Sequence, residues 1–137
     1  MNIFFDNCTS PTLAATLDGF VQHLGHRAFH ISTLPCGRYA SDLEWIQMLA
    51  ARDDGPWIIV TGDGRILKNK PERTALRQSG LSGFVLSSAY QKTPLNQVAS
   101  ILVWRWTEME QLLGLVAGPA LFELPINRRS KPKQLPL

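Results

Sequence analysis

A chain of 137 residues with 14 basic and 11 acidic side chains, net charge +3, and 45% hydrophobic content has material for one domain around a single core, and is too apolar to be disordered. No run of about 18 apolar residues is present, so no membrane-spanning helix is expected, and Asp6 interrupts the apolar start that a secretory leader needs. Two cysteines, Cys8 and Cys36, are too few for a disulfide framework or a four-ligand zinc site, which makes a reducing, cytoplasmic setting the expectation.

Taken in chain order, "NIFF" (2–5) reads as a short buried strand. "SPTLAATLDGFVQHLG" follows with helix punctuation: Ser10 as N-cap, Pro11 in the first turn and Gly25 as a stop. "RAFHI" (27–31) is a second strand, and the segment 32–40 is loop around Pro35 and Gly37. "SDLEWIQMLAAR" opens with Ser41 and Glu44 as a capping box and keeps apolar residues at 43, 46, 49 and 50. "WIIVT" (57–61) is the third strand. "PERTALRQSG" is a short helix between Pro71 and Gly80.

"GFVLS" (83–87) is the fourth strand. "PLNQVASILVWRWTEMEQLLGLV" is the longest helix, with Val98, Ile101, Leu102, Met109, Leu112, Leu113 and Val116 on one stripe. Trp104 and Trp106 lie off that stripe and suit either a second buried face, the favoured reading, or a partner surface. "ALFELPI" (120–126) closes the core. Strands alternate with helices and most strands are continuously apolar, which predicts a three-layer α/β/α sandwich on a mostly parallel sheet of about five strands. Residues 1–126 form the domain in this reading, and 127–137 a basic tail.

Basic residues cluster in two places. Arg65, Lys68, Lys70, Arg73 and Arg77 face one acid, Glu72, and the tail adds Arg128, Arg129, Lys131 and Lys133 with none. Each run suits either a polyanion or a solvated surface ending in a frayed terminus.

Two strands end on an aspartate, "NIFFD" at Asp6 and "WIIVTGD" at Asp63. Ligands of open parallel sheets bind beyond the carboxyl ends of the strands. If strands one and three are neighbours, their backbones lie about 4.8 Å apart, and paired carboxylates there call for a cation. Oxygen ligands without a Cys/His cluster point to Mg²⁺ or Mn²⁺, which activates water for phosphodiester hydrolysis. Gly62 and Gly64 then read as clearance for the ion and a phosphate, or as plain Asp-Gly turn chemistry. Asp42 and Glu44 compete as a third carboxylate, each also explained by the helix start. Glu72 likewise follows Pro71 at a helix start. Asp18, Asp53 and Asp54 read as solvated surface, and His23, His26 and His30 as ordinary histidines.

The segments "NIFFDNCTSPTLAATLDGF", "LGHRAFHI", "SDLEWIQMLA" and "WIIVTGDGRI", in that order over residues 1–90, resemble the PIN-like domain of VapC-type toxin ribonucleases. The resemblance implies a metal-dependent endoribonuclease using Mg²⁺ or Mn²⁺. Asp6, Asp42 and Asp63 match the family's acidic positions, and Asn7 and Thr61 match polar positions that orient water. It further implies RNA as substrate, an antitoxin protein as partner, and a homodimer. Arg65, Lys68, Lys70 and Arg73 suit an entering RNA backbone. One departure stands out: many relatives carry another acid just after the Asp63 position, where this chain has Gly64-Arg65-Ile66. The site is then three acids, with Glu44 or Glu72 as accessory. The alternative is a catalytically weak PIN-like module that binds RNA or a protein. Phospho-acceptor receiver chemistry wants paired acids after strand one and a lysine after strand five. A haloacid-dehalogenase-type site wants a second aspartate at Cys8, and neither pattern is met.

Overall fold

Ile3, Phe4 and Phe5 alternate between the two faces of strand β1 (Asn2–Phe5), yet all three are fully buried. A strand buried on both faces needs a cover on each. The computed structural model describes all of residues 1–137 and supplies both covers. On one face, Leu13, Leu17 and Val21 of α1 (Pro11–Val21) and Val98, Leu102 and Trp106 of α4 (Leu95–Leu115) pack on Ile3, Phe5, Val60 and Phe84. On the other, Trp45, Ile46 and Leu49 of α2 (Asp42–Ala50) and Leu76 of α3 (Lys70–Ser79) pack on Phe4 and Ile59. Each such side chain contributes about 1.5–3 kcal/mol by leaving water. The three-layer α/β/α sandwich expected from the alternation is the observed architecture.

The sheet runs β2-β1-β3-β4-β5-β6, with β2 at Arg27–His30, β3 at Trp57–Thr61, β4 at Ser82–Leu86, β5 at Leu121–Leu124 and β6 at Lys133–Leu135. The first five strands are mutually parallel, and Asn2 to Phe5 lie in register with Trp57 to Val60. β3 and β4 approach so closely that a Cβ on Gly83 would sit 2.1 Å from the Ile59 carbonyl oxygen. Gly80 takes φ 74° after α3, a left-handed helix stop that the sequence placed correctly.

Two features depart from the sequence reading. The expected tail instead carries β6, which pairs antiparallel with β5 and sets Lys133 beside Glu123. Arg105, 1% exposed, reaches across from α4 and donates from Nη2 to the carbonyls of Asn127 and Ser130 at 2.7 and 2.8 Å. Those bonds hold the turn that returns the chain to the sheet edge. The two tryptophans also part company: Trp106 is fully buried, whereas Trp104 is 56% exposed beneath the Arg128 guanidinium. Two positions on a helix lie about 200° apart, so both cannot face one core. No helix is long and apolar enough to cross a membrane.

Candidate active site

In a parallel sheet with helical crossovers, each connecting helix starts at the carboxyl edge of the strands, so strand ends and helix N-termini collect there. That edge gathers Asp6 after β1, Thr61 to Asp63 at the end of β3, Asp42 in the first turn of α2 and Glu72 in the first turn of α3. β1 and β3 are neighbours, and the strand order reverses between them. The acids therefore stand at the switch point, where such folds place their ligands.

Asp6 is 3% exposed. The Thr61 hydroxyl donates to its Oδ2, and the amides of Cys8 and Gly62 donate to Oδ1 at 3.2 and 3.3 Å. Burial pushes its carboxyl up to about 6; the Asp42 charge adds to the rise, and the three donors oppose it. The Glu72 carboxyl is also raised, first by burial and then by Asp42 and Asp63, with Asp42 in hydrogen-bonding reach. The Cys8 thiol is pushed up to about 11 by burial and then by Asp6, Asp63 and Asp42. These cross-effects put all four carboxylates in one negative field.

Asp63 is turned within that field. Arg65 donates its backbone amide and Nε to Oδ1, both at 2.9 Å, and its Nη2 to Oδ2 at 3.1 Å. The guanidinium holds this carboxyl below the usual range. Asp63 is thus already paired with a cation two residues away, while the carboxylate whose charge acts on Asp6 is Asp42. The Arg65 side chain is 84% exposed, so the fork is a surface ion pair worth about 0–1 kcal/mol and easily opened.

No three acidic, histidine or cysteine side chains converge at metal-ligating geometry. The donor chemistry nevertheless suits a hard divalent ion: oxygen ligands only, with the Asp42 charge acting on both Asp6 and Glu72. Asp42 commits one oxygen to the Trp45 indole at 2.8 Å, an orienting bond behind the carboxylate.

A family model described as a PIN like domain matches residues 1–88, from β1 to just past β4. The chain belongs to the PIN-like domain family. Neither the curated proteins nor the solved structures gave a match. PIN-like domains are generally nucleases, hydrolases of phosphodiesters.

Other residues singled out in the sequence fall into place around the PIN-like edge. Thr61 is buried against Asp6, whereas Asn7 is exposed and makes no hydrogen bond of its own. Glu44 is spent on its cap: its amide donates to the Ser41 hydroxyl at 3.2 Å and its Oε1 accepts from that hydroxyl at 3.1 Å. Glu44 thus stands outside the acidic field, and Glu72, seated by the Asn69 cap, stands inside it. Gly62 is not clearance for a ligand, since a Cβ there would meet the Cys8 carbonyl oxygen at 2.7 Å; at Gly64 the nearest atom is 4.0 Å away. Lys68 lines an open groove with Asp63, Gly64 and Arg65. Lys70 is exposed at the start of α3, and Arg73 is half-buried with an unpartnered Nε.

Three structural roles escaped the sequence. His30 is buried, and its Nε2–H donates to the Thr9 carbonyl at 2.9 Å while Nδ1 accepts from the Ser32 amide at 3.2 Å. It thereby ties the end of β2 to the loop that carries Asp6. Asp18 pairs with Arg27 and accepts the Ala28 amide at 2.9 Å. Asp54 pairs with Arg52 and accepts from the Trp57 indole at 2.7 Å. Neither is merely solvated; each fastens the start of a strand.

Proposed function

We propose that this PIN-like domain is an endoribonuclease dependent on Mg²⁺ or Mn²⁺, with Asp6, Asp42 and Glu72 as the groups that would hold the ion once their side chains turn towards it, and Asp63 as a fourth acid that would join them when the Arg65 fork opens. The observation that carries the reading is the buried, raised Asp6 carboxyl coupled to Asp42 at the sheet's switch point. When bound, a divalent ion supplies an activated water and neutralises phosphate charge. Around it, Thr61, Gly62 and Cys8 hold Asp6 by three hydrogen bonds, and Trp45 holds Asp42. Arg65, Lys68 and Lys70, with Arg73 farther along α3, would attract the RNA backbone.

Incubating the protein with RNA in Mn²⁺, Mg²⁺ or EDTA tests the reading. Cleavage is expected only with metal, and to fall more than about a hundredfold in Asp6→Asn, Asp42→Asn and Glu72→Gln, while Glu44→Gln keeps it. Cleavage that persists in EDTA or in Asp6→Asn would overturn it.

The runner-up is a module that binds RNA or a protein without cutting. The Arg65 fork on Asp63 favours it, because a carboxylate already neutralised by the chain's own guanidinium draws a metal less strongly. Absence of cleavage with retained RNA binding would select that reading. The toxin role, an antitoxin partner and a homodimer are what the VapC-type resemblance implies, and a cytoplasmic site of action is what the low cysteine count suggests. Growth arrest on expression, relieved by the product of a neighbouring gene, is the matching observation.

A further inference from the structure

Beside the acidic edge lies a cavity of about 140 Å³ that the nuclease chemistry does not use. Leu13, Leu86 and Val98 form its apolar lining together with Tyr90, whose hydroxyl donates to the Pro125 carbonyl at 2.9 Å and so fixes the ring. Two polar groups stand at the lining without protein partners. Ser87 occupies the N-cap of a 3-10 turn but makes no capping bond, and the exposed Gln91 amide makes no hydrogen bond. An apolar space of about 150 Å³ holds one benzene-sized ring. The serine hydroxyl and the glutamine amide each donate and accept, which matches the edge of a heterocyclic base.

The cavity's position says what that ring is attached to. Its wall includes Cys8 and Gly62, the residues whose amides hold Asp6. Both residues, with Gln91, also line the groove that continues past Asp63 to Arg65 and Lys68. A ring-sized, partly apolar cavity thus opens into a groove with a basic rim, and Cys8 and Gly62, whose amides hold Asp6, stand where the two meet.

We propose that this cavity seats one pyrimidine base of a single-stranded RNA, so that the adjoining phosphate lies over the Asp6 edge and the next is met by Arg65 and Lys68. A single six-membered ring matches the volume, whereas a fused purine would extend out of it into the groove. Cleavage beside a pyrimidine follows as the sequence preference of the enzyme. The proposal rests on the ribonuclease reading for its consequence, but not for its test.

The test is equilibrium binding of 5′-fluorescein heptamers, oligouridine and oligoadenosine, in EDTA at fixed salt, with a single abasic position then moved along the uridine chain. Oligouridine is expected to bind at least about fivefold tighter than oligoadenosine. One abasic position should weaken binding about tenfold while the others matter little. Val98→Phe, which fills the cavity, should remove both effects, and Gln91→Ala, at an exposed position, should reduce the base preference without touching the fold. Equal binding of the two oligomers, or a preference kept intact by Gln91→Ala together with Ser87→Ala, overturns the proposal even if Val98→Phe does not fold. Cleavage in Mn²⁺ is read separately: its absence refutes the nuclease and leaves the base site standing.

Discussion

Replacing Asp6 by Asn should stabilise the protein while abolishing its activity, and the effect should depend on pH. The folded state raises this carboxyl from 3.8 to about 6. It therefore holds the proton more tightly than the unfolded chain does, and ionisation works against the fold. Between those two values stability falls as pH rises, and above about 6 the full penalty is present. Each tenfold in proton affinity is worth about 1.4 kcal/mol, so the ionised carboxylate destabilises the fold by about 3 kcal/mol.

Asparagine carries no charge and its carbonyl oxygen still accepts from the Gly62 and Cys8 amides. Its NH₂ faces the Thr61 hydroxyl, which already accepts from the Asp63 amide at 3.0 Å and then loses its own acceptor, a loss of about 1 kcal/mol. A net gain of about 2 kcal/mol remains at pH 7.5, or about 6–8 °C in Tm. Thermal unfolding in EDTA from pH 4 to 8 measures it. Relative to the variant, the wild type should lose about 3 kcal/mol as pH rises through 4 to 6.5, so the two curves should cross at about pH 4.5, with the variant the less stable below it. Parallel curves, or a variant less stable than wild type at pH 7.5, would refute the burial of an uncompensated carboxylate. Adding Mn²⁺ should raise the Tm of the wild type alone, because an ion that binds only the folded state shifts it by mass action.

Gly62→Ala should destabilise by about 1–3 kcal/mol through its clash with the Cys8 carbonyl, whereas Gly64→Ala should leave the urea midpoint unchanged; equal effects would show that the glycines serve some other end. Arg105→Met keeps apolar bulk in α4 but strands the Asn127 and Ser130 carbonyls. It should speed amide exchange across 127–135 and leave β1 to β5 protected, with a loss of about 2 kcal/mol; unchanged exchange in β6 would refute the anchor.

Much of this architecture was legible in the chain. Continuous apolar runs at 2–5, 57–61 and 83–86 declared strands buried on both faces, and Ser10, Ser41 and Gly80 marked helix ends through local hydrogen-bonding rules that need no tertiary partner. Asp6 and Asp63 could be assigned to one edge because all strands after βαβ crossovers point the same way. β6 was not legible: "KQL" has no apolar run, and it becomes a strand because β5 offers it an unpaired edge and Arg105 holds the turn before it.

The acidic site divides along the same line. Which residues reach the carboxyl edge follows from sequence, since a strand end or a helix start carries its side chain there by topology. Which carboxylates then share a field is decided only by the packing of α2 and α3 on one face of the sheet, which brings Glu72 to Asp42 and leaves Glu44 on its cap. Two residues distant in sequence acquire an interaction energy only when the fold sets their separation and removes water from between them. The burial of Asp6 and the cavity behind Gly62 are consequences of that geometry, whereas the Arg65 fork on Asp63 joins residues only two apart. "GDG" therefore denotes two different things: a first glycine demanded by the Cys8 carbonyl, and a second with open space before it.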